Sequence, residues 1–305
     1  MTYSRILSRL DAVLFAAFMV ALRMLLATPA SAVPQKHEVT GLLLAADPSR
    51  HMITVSCKEI PGYMEAMVMS FRVKDSTLPQ GLQPGVMVDF ILVADNESSF
   101  AEDIHIHPFE SLELDPTQAR RLKLIENASS AHPPSADVLH AGDVVPDFHL
   151  TDQNHDAVSL SQFRGKIVAM TFIYTRCPLP DYCVRLSNNF GVLQRRFKSR
   201  MGRDLILLTV VIDPVHDQPA ELHSYASTWK ADSSSWHFLT GSVADIQRIC
   251  RAFDMAFYPD EGLFVHSFHT VIIDRTGHLS ANLDGNNFTA QQLGDLVQVL
   301  EDRKQ

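Results

Sequence analysis

The sequence predicts a small all-β, OB-like barrel followed by an α/β domain, and three observations carry that prediction. The chain is 305 residues long, more than one hydrophobic core usually serves. Short alternating runs fill the first third, whereas the second half alternates continuous apolar runs with helical periodicity. A polar stretch divides the two.

The first 32 residues read as an export signal or N-terminal anchor. Arg5 and Arg9 precede an apolar run from Ala12 to Leu22, and Ala30-Ser-Ala32 offers a small-residue cleavage site. Arg23 interrupts the run and Asp11 stands ahead of it, so a retained anchor stays open beside cleavage. From residue 33 to 108, short runs at Val39 to Ala46, Met52 to Cys57, Val68 to Val73, Val86 to Val93 and Ile104 to His107 suggest a five-stranded barrel. Residues 109–138 form the linker, with Ala128-Ser-Ser-Ala-His-Pro-Pro-Ser at its end and a short helix over Pro116 to Glu126.

Residues 139–305 carry the α/β pattern. Ile167 to Tyr174 and Leu205 to Ile212 read as buried strands, with a third at His237 to Thr240. Leu186, Phe190, Leu193 and Phe197 share one helical face. Helices are expected over Pro219 to Trp229, Val243 to Phe253 and Thr289 to Glu301, and a hairpin turns at Arg275-Thr-Gly277. That order is an α/β layer fold of thioredoxin type.

Composition narrows the function. Charged residues are 20% and the net charge is -9, with no lysine or arginine run. Nucleic acid is therefore excluded as a partner, because phosphate binding needs concentrated basic surface. Four cysteines in an exported chain could be structural disulfides, but their placement points to chemistry. Cys250 lies in an apolar helical pattern and reads as a small buried hydrophobe. Cys177 and Cys183 close the run Thr175-Arg-Cys-Pro-Leu-Pro-Asp-Tyr-Cys183, where a strand gives way to a helix, the place where open α/β folds put their chemistry. Pro178 and Pro180 favour an extended loop, with Asp181 as N-cap and Cys183 in the first helical turn. A helix dipole there would favour the Cys183 thiolate. Two thiolates with the imidazole of His266 make a set suited to Cu(I), able to take Cu(II) with a further donor, and zinc would accept the same ligands.

In the first half, Met64-Glu-Ala-Met-Val-Met69 follows the turn Ile60-Pro-Gly-Tyr63. Met67 and Met69 would project from one face of a strand. Thioethers select Cu(I) over harder ions, although methionine is also ordinary core filler.

Four segments, Gly142-Asp-Val-Val-Pro-Asp-Phe148, Phe172-Ile-Tyr-Thr-Arg-Cys-Pro178, Ile212-Asp-Pro-Val-His-Asp-Gln-Pro219 and Val265-His-Ser267, resemble the Sco/SenC family of thioredoxin-like copper chaperones. The resemblance covers about Gly142 to Leu300. It implies copper held by Cys177, Cys183 and His266, and a copper-accepting partner such as a cytochrome c oxidase subunit, served by metal delivery or thiol reduction. Two departures stand out: five residues separate the cysteines where the family usually has three, and His216 replaces a common arginine. Residues 37 to 107 resemble the periplasmic copper-binding barrels of the CusF type. That likeness implies a Cu(I) site at Met67 and Met69, with Cys57 where a histidine is expected and Met64 where an aromatic ring can lie. Cys57 is then either a ligand or a buried strand residue.

The functional expectation is an exported, periplasmic copper metallochaperone, with membrane anchoring through the N-terminal segment as one form. Two alternatives stay open: a thiol-disulfide oxidoreductase using Cys177 and Cys183 without stable metal, which would make the chain an enzyme, and a passive copper buffer or resistance protein.

Overall fold

The computed structural model describes residues 35–74, 78–94, 99–107, 138–260 and 262–302. The leader, most of the linker and the short helix over 116–126 lie outside the described residues. Among those described, no helix is long and apolar enough to cross a membrane.

The first half is a closed barrel of β1 (Gln35–Asp47), β2 (Met52–Cys57), β3 (Met67–Val73), β4 (Met87–Ala94) and β5 (Ser99–Ile106), ordered β1-β2-β3-β5-β4. Its fifth strand begins earlier than the apolar run at Ile104 suggests, because the barrel needs a partner for the far end of β4. Only there, at Arg72 and Val73, does β5 also meet β3, in parallel. The interior holds Val39, Leu43, Ile53, Val55, Cys57, Phe71, Val88 and Phe90. A Cβ on Gly41 would lie 2.5 Å from Val55 and 2.6 Å from the Ser56 carbonyl. Glycine there lets β1 press directly on the strand that ends in Cys57.

Leu42, Leu43 and Leu44 are all fully buried, which one-sided alternation does not explain. Leu43 faces the barrel interior, whereas Leu42 and Leu44, with Met87, belong to the core of the second half. The strand is covered on both sides because the two halves dock against each other along it.

The second half is a mixed sheet ordered β14-β13-β8-β9-β10-β6-β7. Its strands are β6 (His149–Asp152), β7 (Ala157–Ser159), β8 (Ile167–Ile173), β9 (Leu205–Val211), β10 (Trp236–Thr240), β13 (His269–Ile273) and β14 (Leu279–Asp284). Every residue of β8 and β9 is buried, as expected for parallel central strands covered on both faces. The helices are α1 (Arg185–Arg196), α2 (Pro219–Thr228), α3 (Val243–Ala252) and α4 (Ala290–Asp302). A separate two-stranded ribbon, β11 (Phe257–Asp260) and β12 (Leu263–His266), delivers His266. The short strands β6, β7, β11 and β12 lack the long apolar runs that marked the others.

The expectation of Asp181 as N-cap is corrected. Leu179 is extended at φ -98° and ψ 111°, Pro180 follows it, and Pro180–Val184 form one wide π-type turn kinked at Tyr182 before α1 starts at Arg185. Proline fixes its own φ and lacks an amide hydrogen, so it fills the first helical position and moves the cap two residues earlier, from Asp181 to Leu179. Asp181 lies inside that turn.

Candidate metal centre

Strand β8 ends at Ile173, and Tyr174 to Val184 wrap over the end of the sheet. Thr175 is pinned by Asp217, whose carboxylate accepts its amide at 3.1 Å and also its hydroxyl. Arg176 donates to Asp213 at 2.6 Å, and the ring nitrogen of His216 lies 2.9 Å from the same carboxylate. Burial pushes the Asp217 carboxyl up, whereas at Asp213 the hydrogen bonds from His216 and Arg176 outweigh burial and leave it low. These contacts tie the segment before Cys177 to the loop after β9.

Cys177, Cys183 and His266 come together there. Cys183 is 1% exposed and His266 is 4% exposed, with Cys183 Sγ 3.6 Å from His266 Nε2. His266 Nδ1 donates to the Ser267 carbonyl at 2.7 Å, which leaves Nε2 as a lone pair aimed at the sulfur. Burial lowers the imidazole to about 4, so it is neutral at neutral pH. Its ring is walled by Tyr174 and Phe268, with centroids 5.8 and 4.8 Å away, and Tyr182 stacks on Phe268.

The sulfurs are unequal. Cys177 is lowered to about 6, first because the Cys183 thiol hydrogen-bonds to it. Cys183 is driven well above its ordinary value by burial. This reverses the expectation of a thiolate at Cys183: the π-type turn places its sulfur against apolar side chains, where desolvation overrides any dipole. All four cysteines are free thiols. Cys183 has one proton and two acceptors, the Cys177 sulfur and His266 Nε2. A soft monovalent cation in place of that proton would satisfy all three groups together. Among the described residues no three His, Cys, Asp or Glu side chains form a ready-made cage, so a metal shared by Cys177, Cys183 and His266 would require these side chains to shift.

In the barrel, Cys57 pairs with Met67 and Val55 with Met69 across β2 and β3. Directly opposed residues share a face, so Cys57, Met67 and Met69 line one side. Met67 is 47% exposed, while Met69 and Met64 pack half-buried on the barrel core. Met64 bridges to Ile60 at the hairpin end. Cys57 is 1% exposed, contacts the Val55 carbonyl at 3.8 Å and is pushed by burial up to about 12. Cys250 is likewise buried and pushed up to about 12.

Several site residues carry no role in the sequence reading. Tyr174 lies in the Phe172–Pro178 motif, so its signal was present; its hydroxyl donates to the Phe264 carbonyl at 3.3 Å. In the barrel, His37 stacks on Tyr63 at 3.7 Å, supplying aromatic rings beside Met64. Neither ring follows from strand periodicity.

The comparisons with known proteins agree with this layout. The SCO1/SenC family model matches residues 136–301. The chain belongs to the SCO1/SenC family. Residues 36–106 match the model of the copper binding periplasmic protein CusF, so the barrel is CusF-like. A Stutzerimonas stutzeri protein named for copper binding is 26% identical over 144 residues, 46% of this chain and 68% of the relative. The SCO1 protein homolog of Bacillus subtilis is 30% identical over 93 residues, 30% of this chain and 47% of the relative. The chain thus spans about half the length of that second relative. Among solved structures, copper-bound ScoI of Arabidopsis thaliana is 21% identical with a TM-score of 0.46, covering 52% of this chain and 98% of that one. Copper is named in the description of the barrel's model and in the name of the Stutzerimonas relative.

Proposed function

We propose that this chain is an exported copper metallochaperone whose thioredoxin-like half holds Cu(I) at Cys177, Cys183 and His266. The single observation that supports this most is the Cys183 proton shared between a low-pKa sulfur and an imidazole lone pair. Replacing a proton by Cu(I) needs the same soft donors and no buried counter-charge beyond the thiolates. The barrel, through Met67 and Met69 with Met64 beside them, is a second Cu(I) site. Cys57 joins it as a ligand only by giving up a strongly held proton. The periplasm is the compartment that the signal-like leader and the CusF-like barrel favour. The recipient is a copper-accepting protein such as a cytochrome c oxidase subunit.

Anaerobic Cu(I) titration of the reduced chain from Val33 onward tests the reading. We expect the Cys177→Ser/Cys183→Ser variant to lose its tight dithiol equivalent while the barrel equivalent survives. Unchanged stoichiometry would overturn the dithiol assignment.

A thiol-disulfide oxidoreductase is the second reading, and the asymmetry of the pair favours it: a partly exposed, low-pKa Cys177 is suited to attack, and the buried Cys183 to resolve the mixed disulfide. Turnover of a substrate disulfide by copper-free protein would support that reading.

A further inference from the structure

The connection between β14 and α4 touches both sulfur sites. Asn286 is fully buried, and its Nδ2 donates to the Asp181 carbonyl at 2.5 Å, inside the turn that carries Cys183. A few residues on, Thr289 and Gln292 form a reciprocal cap at the start of α4: the Thr289 amide donates to Gln292 Oε1 at 2.9 Å, and the Gln292 amide to Thr289 Oγ1 at 3.1 Å. The other end of the same Gln292 side chain crosses to the barrel, where Nε2 donates to the Ser56 carbonyl at 2.9 Å. Ser56 precedes Cys57.

A second route reaches the same residue. The Ser56 hydroxyl donates to Asp295 Oδ2 at 2.7 Å, and Asp295 Oδ1 accepts from Arg196 at 2.7 Å. Arg196 is the last residue of α1, the helix that begins just after Cys183. Two routes therefore converge on Ser56: one runs from the Cys183 turn through Asn286 and the backbone to Gln292, the other along α1 to Arg196 and Asp295. Ser56, Asn286, Gln292 and Asp295 are 1%, 0%, 3% and 7% exposed. Buried polar networks of this kind are costly to break and resist independent movement of their members. Asn286 Oδ1 is itself buried with no hydrogen-bond partner. A reshaped Cys183 turn that offered it an amide hydrogen would relieve that cost.

We propose that Asn286 is a positioning residue for the Cys183 turn, and that Ser56 is where the chemical state of the Cys177/Cys183 pair is passed to the barrel strand carrying Cys57. The inference rests on the proposed function only in taking these two thiols as the reacting pair. Oxidised glutathione provides a copper-free way to change their state: the two protein thiols become an intramolecular disulfide, and the small disulfide is reduced to two glutathione molecules that carry the two protons. Bond formation draws the sulfurs together and pulls on the turn held by Asn286.

The test is hydrogen exchange on the full chain without copper, compared between dithiol and disulfide forms. Amides of Ser56 and Cys57 should change their exchange rate by about fivefold or more, the lower end of ordinary coupling between sites. That response should shrink in Asn286→Ala, which frees the Cys183 turn from the segment leading to Gln292 but leaves the contacts of Arg196 and Asp295 in place. Because Asn286 is buried, Ser56→Ala provides a second variant: it removes the hydroxyl bonded to Asp295, keeps the carbonyl bonded to Gln292, and should reduce the β2 response while leaving that of the Cys183 turn intact. Equal exchange of β2 in both forms of the unaltered chain would overturn the proposal, as would failure of the pair to close or a β2 response that stays at full size when both substitutions are combined. Copper titration is read separately, so loss of the copper reading and loss of the coupling are distinguishable.

Discussion

The two sulfur sites differ in how they are held before any metal arrives. The barrel offers thioethers on a strand face, with Met67 open to solvent and Cys57 sealed beneath it. The dithiol site hides its central sulfur and its imidazole, and presents Cys177 at the edge. Thioethers carry no proton, so a barrel site built on them can take Cu(I) without acid-base chemistry. The dithiol site must release a proton to do so. Softness alone therefore does not set the two regions apart: one exposes neutral thioethers, and the other guards a thiol proton.

The largest effect that would break this comparison concerns the seam between the halves. Leu42 projects from the barrel into the core of the second half, so Leu42→Ala should cost about 2 to 5 kcal/mol. If the halves fold as one cooperative unit, denaturation followed at barrel and at thioredoxin-like reporters should shift together. A loss confined to one half would show that the seam does not couple them.

Next in size is the pH response of the dithiol site without metal. His266 is lowered from 6.5 to about 4, so the unfolded chain binds a proton that the folded chain refuses between those values. Stability is therefore expected to fall as pH drops from about 6.5 toward 4, by up to roughly 3 kcal/mol. His266→Gln should flatten that segment of the stability curve. A curve with the same slope in both proteins would contradict a buried neutral imidazole.

A smaller effect sharpens the contrast among the sulfurs. Cys177 lies near 6 while Cys57 and Cys250 are pushed up to about 12. Alkylation by iodoacetamide at neutral pH, read by peptide mass, should favour Cys177 over Cys57 by roughly a hundredfold or more, following thiolate fraction. Comparable labelling would mean that Cys57 is less sealed than its burial indicates.

Much of this was legible in the sequence, and the gaps have physical causes. Long apolar runs such as Ile167 to Tyr174 announce buried strands, and the prolines around Leu179 announce a break before the helix. The position of that break was not legible to the residue, because Pro180 competes with Asp181 for the start of the helix and wins through its fixed φ. The Cys183 thiolate was misread for a related reason: the sequence shows that Cys183 is near a helix start, but not that the turn buries its sulfur, where desolvation dominates. Leu42-Leu43-Leu44 displayed the docking of the halves as a break in alternation, a signal that alternation alone could not interpret. Asn286 carried no signal, since a buried asparagine in a turn looks like any turn residue until its partner is known.

Copper-edge X-ray absorption on a Met67→Leu/Met69→Leu chain loaded with a single equivalent of Cu(I) tests the central claim most directly. The account expects two sulfur neighbours and one imidazole nitrogen, with the nitrogen signal lost in His266→Gln. A copper bound by light atoms alone, or a sulfur signal that persists in Cys177→Ser/Cys183→Ser, would contradict it.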